Sequence, residues 1–284
     1  MTASQHMIQA NGLRFRVLAD GPPDGELFVL LHGFPEGAES WSRQIAVIAG
    51  SGALAIAPDM RGYGKSDAPS TVEDYRLDAL VEDTAQIMKA FGRDRAHVAG
   101  HDWGAMVAWY FAAAHPDMTH TLTVLSVGHP AALGEAVTTD ADQKTRSEYV
   151  RLFLMEGKAE SVLADDDFRR LRAMFGGKLP NSVVDSYVRS LSRPGRLTAG
   201  LNYYRANLSG ESWWAGLRAD LKITTPTTLL WGDQDPALGR QQAEKSAEHV
   251  DADFRLDVLE GAGHWLQFER PAEVGTSLTQ VLSK

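Results

Sequence analysis

The stretch Arg95-Ala96-His97-Val98-Ala99-Gly100-His101-Asp102-Trp103-Gly104 decides the fold and places a carboxylate near its end. Arg95 to Ala99 is short and apolar at alternate positions, as a strand requires, whereas Ala105 to Ala114 is rich in helix formers. Glycines on both sides of Asp102 permit a sharp turn. The sequence therefore predicts a strand-to-helix elbow with Asp102 at its tip. A carboxylate there is ionised at neutral pH and can attack carbon directly, forming an ester.

The composition indicates a soluble globular protein. The chain has 284 residues, of which 44% are hydrophobic and 23% are charged, so it suits one large α/β domain with an inserted lid. Its net charge of -9 opposes binding to nucleic acid and makes acidic substrates less favoured. The absence of cysteine excludes disulfides, thiolate metal sites and a cysteine nucleophile.

The first residues and the apolar runs predict a cytoplasmic protein. The first twenty residues lack a basic stretch followed by an apolar run, which is the pattern of a secretory signal. The apolar block Leu27–Leu31 is far too short to span a bilayer. We therefore expect no membrane partner. Both a monomer and a homodimer are compatible with the sequence.

Strand-like runs alternate with helix-like runs, which is typical of a mostly parallel sheet covered by helices on both faces. The best helical pattern runs from Leu77 to Phe91, with apolar residues at helical spacing and Gly92 after it. The sequence predicts strands at Leu13–Ala19, Leu27–Leu31, Ala53–Ala57, Arg95–Ala99, Thr121–Val127, Thr227–Trp231 and Phe254–Val258.

The strand signal disappears between about His129 and Gly216, where the sequence is charged and aromatic. We interpret this stretch as a helical insertion, in which Asp165, Asp166 and Asp167 open a helix by capping its free amides. The predicted domains are a core of residues 1–128 and 217–284 and a helical cap, or lid, of residues 129–216.

The loop Leu31-His32-Gly33-Phe34-Pro35-Glu36 follows a buried strand and therefore lies at the carboxyl edge of the sheet, where ligands bind. In such an architecture a backbone amide from this loop and the amide after the nucleophile together hold a developing oxyanion. Here those amides belong to Phe34 and Trp103. The alternative interpretation is that His32 and Gly33 only shape a turn.

Two downstream loops supply an acid and a histidine, each after an apolar strand. Leu229-Leu230-Trp231-Gly232-Asp233-Gln234-Asp235-Pro236 contains two acids, and Gly261-Ala262-Gly263-His264-Trp265 contains the histidine. The order nucleophile, acid, histidine along the chain is the one found in hydrolases whose nucleophile lies on such a strand-to-helix elbow. Asp233 competes with Asp235 for the role of the acid. The histidines His97 and His101 lie on a strand and turn without a third ligand nearby, so we expect a structural role and no metal.

The chain resembles an epoxide hydrolase of the α/β-hydrolase family, of the aspartate-nucleophile type, along almost its whole length. Four motifs carry this resemblance: His32-Gly33-Phe34-Pro35-Glu36, Asp59-Met60-Arg61-Gly62-Tyr63-Gly64-Lys65-Ser66-Asp67, Gly100 to Gly104, and Gly263-His264-Trp265. The resemblance implies an α/β-hydrolase fold with a mostly parallel eight-stranded sheet, flanking helices and an inserted helical cap. It also favours Asp235 over Asp233 as the acid.

The resemblance implies that two tyrosines of the cap donate hydrogen bonds to the epoxide oxygen. The segments Ser147-Glu148-Tyr149-Val150-Arg151 and Leu201-Asn202-Tyr203-Tyr204-Arg205 match the two family segments, so the donors are Tyr149 and Tyr204. A phenol suits this role because it stays protonated at neutral pH. The alternative is that these tyrosines simply pack the lid, as we expect for Tyr203.

The implied reaction opens an apolar epoxide to a vicinal diol through a hydroxyalkyl ester on Asp102. His264, oriented by Asp235, then activates the water that hydrolyses the ester. No metal or organic cofactor is required. We expect Phe34, Trp103 and Trp265 to contact the substrate, because each lies beside a catalytic position. Detoxification, alkene catabolism and biosynthetic ring opening all agree with these residues.

Two other functions compete with this interpretation. A haloalkane dehalogenase would use the same aspartate to displace halide, with Trp103 binding the departing ion. Many dehalogenases have an asparagine after the His-Gly pair, where this chain has Phe34, and the two lid tyrosines favour the epoxide. A non-catalytic protein could use the same fold as a ligand pocket, but such a protein need not keep Asp102, Asp235 and His264.

Overall fold

The computed structural model describes residues 3–208 and 221–283. Its centre is one eight-stranded sheet with the strand order β1-β2-β4-β3-β5-β6-β7-β8. β1 and β4 are both antiparallel to β2, and all other neighbouring strands are parallel. The strands are β1 Ser4–Ala10, β2 Leu13–Asp20, β3 Leu27–Leu31, β4 Leu54–Pro58, β5 Ala96–His101, β6 Thr119–Leu125, β7 Thr227–Gly232 and β8 Phe254–Leu259.

Twelve α-helices are assigned within the described ranges, and six of them follow β6 before the chain returns to the sheet at β7. The helices are α1 Ser42–Gly50, α2 Leu77–Ala90, α3 Trp103–Ala114, α4 Pro130–Thr139, α5 Ala141–Arg146, α6 Tyr149–Phe153, α7 Lys158–Met174, α8 Asn181–Leu191, α9 Arg196–Asn207, α10 Arg240–Lys245, α11 Leu266–Glu269 and α12 Pro271–Thr279. Short 3-10 turns lie at Ala38–Trp41, Glu73–Tyr75, Pro116–Met118, Ser246–His249 and Gln280–Ser283.

The central strands of the sheet are buried on both faces, as their apolar sequences require. All five residues of β3 are buried, and they alternate between two cores. Val29 and Leu31 face the core that includes α2 and α3, whereas Phe28 and Leu30 face the core that includes α1 and α12. This three-layer arrangement confirms the predicted α/β-hydrolase fold class and holds the carboxyl ends of the strands at one edge.

The predicted strands are all present, with ends that differ by up to two residues, but the sequence did not predict β1. This strand pairs only with β2, and most of its residues are exposed. An edge strand that contacts solvent on both faces has no alternation of apolar and polar residues to reveal it. The predicted helix at Leu77–Phe91 is confirmed as α2, and Gly92 after it has a φ of +70°.

The prediction that Asp165, Asp166 and Asp167 open a helix by capping is wrong. The backbone leaves helical geometry from Asp165 to Phe168, in the middle of α7, and three of these four residues have positive φ. The Asp166 carboxylate lies 2.6 Å from Arg169 Nε, and the Asp167 carboxylate lies 3.1 Å from Arg172 Nη2. The acidic side chains therefore form ion pairs across an interruption.

The chain between β6 and β7 is helical as far as it is described. Helices α4 to α9 cover the carboxyl edge of the sheet between β6 and β7. The predicted boundary between residues 216 and 217 lies outside the described residues. Across residues 3–208 and 221–283, no helix combines the length and the apolar character needed to cross a bilayer.

Candidate active site

Asp102 lies at the tip of the predicted elbow, between β5 and α3. Its backbone has φ 52° and ψ -121°, an unusual conformation for a residue other than glycine. Neighbouring glycines make this turn sterically feasible, because a Cβ on Gly100 would overlap the Gly104 carbonyl. A Cβ on Gly33 would overlap the Asp102 side chain. The backbone of the loop after β3 therefore lies directly against the Asp102 side chain.

The two predicted oxyanion donors both point at the Asp102 carboxyl group. The Phe34 amide donates to Asp102 Oδ1 over 2.8 Å. The Trp103 amide lies close enough to this carboxylate to lower its pKa. His32 braces the same loop, because its Nε2 accepts a 3.0 Å hydrogen bond from the Met60 amide. The loop therefore places one backbone amide against the Asp102 carboxylate and is itself held in place by His32.

Asp235 follows β7 and His264 follows β8, and both residues lie close to Asp102 in the structure. Asp235 Oδ2 lies 2.8 Å from His264 Nδ1, and His264 Nε2 faces Asp102 Oδ2 at 3.7 Å. Asp235 is fully buried, and its Oδ1 accepts hydrogen bonds from the amides of Ala237 and Leu238. Asp233 instead accepts the Gly261 amide over 2.7 Å and so shapes a turn. The geometry places Asp235, not Asp233, beside the histidine.

The charges of this cluster keep Asp102 ionised. Burial raises the pKa of the Asp102 carboxyl, but His264, the charge of His101 and the Trp103 amide together hold that pKa below its usual range. Burial lowers the pKa of His264, whereas Asp235 and Asp102 raise it, so that the pKa lies well above its usual value. The free site therefore pairs an ionised Asp102 with a His264 ring that favours its protonated form.

Tyr149 on α6 and Tyr204 on α9, the two predicted donors, lie near Asp102. Their ring centroids are 6.4 Å apart, and both line the same cavity as Asp102 and His264. Burial raises the pKa of each phenol, and the charge of Asp102 raises both further. Both hydroxyl groups therefore stay protonated and can donate to a bound oxygen atom. Tyr203 instead donates to the Arg61 carbonyl over 2.8 Å and packs in the core.

Two cavities open beside Asp102. The larger has a volume of about 500 Å³, and its walls include Phe34 and Trp265, two of the predicted substrate contacts. Aliphatic side chains that the sequence did not indicate, among them Leu152 and Leu163, complete these walls. The smaller cavity, about 30 Å³, includes the third predicted contact, Trp103. An apolar chamber that ends at a carboxylate, a histidine and two phenols suits an apolar substrate with a single reactive polar atom.

A buried polar network beneath the site was not predicted from the sequence. Glu36 Oε2 accepts the Gly33 amide over 3.1 Å and lies 2.9 Å from His101 Nδ1. Gln267 donates to Glu36 Oε1 over 2.7 Å. His101 Nε2 in turn donates to the His264 carbonyl over 2.9 Å. The network thus ties the loop that carries Phe34 to the loop that carries His264.

The histidines singled out for a structural role agree with this arrangement. His97 lies 2.8 Å from both Thr121 Oγ1 and Glu26 Oε2, away from the elbow. Within the described ranges, no group of three or more histidine and acidic side chains has the arrangement of a metal site.

Comparison with known proteins agrees with the fold. The family described as alpha/beta hydrolase fold matches residues 26–271. Epoxide hydrolase 3 of Xenopus tropicalis is 35% identical over 300 residues, which cover 100% of this chain and 80% of that protein. The chain therefore belongs to the α/β-hydrolase family, among its epoxide hydrolases.

Solved structures give the same result. The crystal structure of epoxide hydrolase A from Mycobacterium thermoresistibile has a TM-score of 0.87 and 33% identity, covering 99% of this chain and 98% of that one. The Bacillus megaterium epoxide hydrolase in complex with an inhibitor has a TM-score of 0.89 and 29% identity, covering 98% of this chain and 100% of that one. The similarity thus spans helices α4 to α9 as well as the sheet.

Proposed function

We propose that this chain hydrolyses an apolar epoxide to a vicinal diol, with Asp102 as the nucleophile. The observation that carries the proposal is the convergence of Asp102, His264, Tyr149 and Tyr204 on one apolar cavity. A nucleophilic carboxylate alone would suit any alkylating substrate. The two phenols add what an epoxide needs, because its oxygen leaves as an alkoxide that must be protonated.

In the first half of the proposed reaction, Asp102 attacks one epoxide carbon while the carbon–oxygen bond breaks. Tyr149 and Tyr204 donate hydrogen bonds to the oxygen, and one of them supplies the proton. The product is a hydroxyalkyl ester of Asp102. Because the pKa of Asp102 is lowered and those of the tyrosines are raised, the nucleophile and both donors hold the required protonation states together.

The second half begins with a change in charge at His264. Once Asp102 is esterified, it no longer raises the pKa of the facing imidazole, and the proton of that ring passes through solvent to the tyrosinate formed in the first half. Neutral His264, held by Asp235, takes a proton from water, which attacks the ester carbon. The amides of Phe34 and Trp103 bind the resulting oxyanion. Collapse of this intermediate releases the diol and restores the carboxylate.

A trapping experiment tests this assignment. In the variant His264→Gln, Asp102 can still be alkylated but water is not activated, so one equivalent of ester accumulates. Mass spectrometry of the peptide containing Asp102 should show the added mass of styrene oxide. The double variant Asp102→Asn, His264→Gln is the matched control and should stay unmodified. Steady diol formation by His264→Gln with an unmodified peptide would contradict the mechanism.

Haloalkane dehalogenation is the second candidate, because Trp103 lies beside Asp102 and its indole could help to bind a halide. A single assay separates the two functions: diol release from styrene oxide against halide release from a haloalkane of similar size. We expect diol and no halide. Failure of both substrates across a wider epoxide and haloalkane panel would favour the non-catalytic ligand-binding alternative.

Other features of the proposal come from the sequence and stay predictions. We propose that residues 129–216 act as a cap on a core of residues 1–128 and 217–284. A cytoplasmic location, a role in detoxification and a monomeric or homodimeric state are further predictions. Cell fractionation and light scattering would test the location and the oligomeric state.

A further inference from the structure

We infer that the preferred epoxides carry a large apolar group on one ring carbon and at most a methyl group on the other. This inference rests on the proposed function, since it concerns the substrate of the same site. The observation behind it is that Asp102 lies where two cavities of very different size meet. Both cavities are lined by Asp102, Tyr149, Tyr204 and His264.

The geometry of ring opening sends the two substituents of an epoxide in different directions. The oxygen must lie at the tyrosine hydroxyls, and the attacked carbon must face the Asp102 carboxylate. The substituents on the two carbons then project away from the oxygen, one on each side of the reacting atoms. Because the reacting groups line both cavities, each substituent must enter one of them.

The volumes of the two cavities set the size of each substituent. The larger cavity measures about 500 Å³, which accepts an alkyl chain or an aromatic ring. The smaller measures about 30 Å³. A single water needs roughly 10–15 Å³ on this scale, so the smaller cavity has room for hydrogen or one methyl group.

The walls of the small cavity come from separate parts of the fold. Met106 lies on α3, Leu133 on α4 and Leu208 directly after α9. All three side chains are at least 95% buried, with exposures of 4%, 2% and 1%. These packed side chains come from three separate elements, so they cannot all move aside without strain. A propyl group would therefore have to displace buried side chains of the core.

The positional isomers of trans-epoxyoctane, with the terminal isomer as reference, test the inference with the unmodified enzyme. Moving the ring from the chain end to the middle keeps the carbon number constant while the smaller substituent grows from hydrogen to propyl. We expect similar kcat/KM for the terminal and methyl-bearing isomers, and a fall of at least about tenfold for the mid-chain isomer, since one methylene in a pocket changes kcat/KM by about 10–200-fold. Equal values for the terminal and mid-chain isomers would overturn the inference.

A matched pair of variants tests which cavity sets this limit. Leu133→Ala enlarges the small cavity, and Leu163→Ala makes the same truncation in the wall of the large one. Leu133→Ala should raise the ratio of kcat/KM for the mid-chain isomer to that for the terminal isomer by about tenfold. Leu163→Ala should not raise that ratio, because it gives space only to the larger substituent, which is longer in the terminal isomer. An unchanged ratio in Leu133→Ala would contradict the inference.

The ratio is measured within one protein preparation, so partial unfolding lowers both rates and cancels. Leu133→Val provides a milder enlargement if Leu133→Ala does not fold. Loss of the proposed function has a different outcome from loss of this inference. An enzyme that hydrolyses no isomer, and no styrene oxide, contradicts the proposed function, whereas one that hydrolyses every isomer equally contradicts only the size limit.

Discussion

Replacement of Glu36 by alanine should destabilise the protein strongly, although Glu36 contacts no substrate. Its carboxyl group is fully buried and accepts hydrogen bonds from the Gly33 amide and the Gln267 side chain, while His101 Nδ1 lies 2.9 Å away. Truncation leaves three buried polar groups without this partner, and each costs about 1–3 kcal/mol. Because such losses are not additive, we expect about 3–5 kcal/mol in total, the range for a broken buried charged pair.

Urea unfolding followed by tryptophan fluorescence measures this loss, provided that the m value is unchanged. Glu36→Gln keeps the volume and one acceptor, so it should cost less than Glu36→Ala. Glu156→Ala removes an exposed acid and should change the free energy of unfolding by less than about 0.5 kcal/mol. If Glu36→Ala were as mild as Glu156→Ala, the network would not hold the two loops together, and the reasoning would be refuted.

Three further predictions concern the reaction. Tyr149→Phe combined with Tyr204→Phe should lower the rate of ester formation by about 10²–10⁴-fold, measured by rapid quench, whereas Tyr203→Phe should leave it unchanged because that hydroxyl bonds only to backbone. Asp235→Asn should slow ester hydrolysis by a similar factor and Asp233→Asn should not; equal effects would refute the choice of acid. The rate of ester formation should not change between about pH 5 and 8, because the pKa of Asp102 is lowered and those of the tyrosines are raised. The rate of ester hydrolysis should rise with pH as His264 loses its proton. A stopped-flow pH profile with the opposite assignment of the two phases would contradict this charge arrangement.

Local sequence signals predicted the parts of the site that follow from strand ends and turn chemistry. The glycines on both sides of Asp102 indicate a sharp turn. Asp235 and His264 each follow an apolar strand of a parallel sheet. Because the carboxyl ends of parallel strands share one edge, their proximity follows from topology. Tyr149 and Tyr204 could be proposed as donors only by resemblance, since nothing in a helical pattern separates a donor from a packing residue.

The features that the sequence did not reveal depend on contacts between distant segments. Glu36, His101 and Gln267 are separated by up to 231 positions, and no local pattern links them. The unequal cavities likewise depend on how α3, α4 and the end of α9 pack together. The backbone interruption at Asp165 to Phe168 was missed for a related reason, because a run of acids fits a helix start as well as it fits ion pairs with following arginines.

The two halves of the proposed reaction depend on two strands, β5 and β8, that differ in how well they are protected against local unfolding. β5, which presents Asp102, is central and buried along its whole length, whereas β8, which precedes His264, is an edge strand with partly exposed residues. Edge elements open locally at lower free energy than central ones. A molecule whose β8 opens for a moment would still be alkylated but could not release its product. Mild heating in the presence of substrate should therefore convert the enzyme into its own inert ester before the fold as a whole is lost.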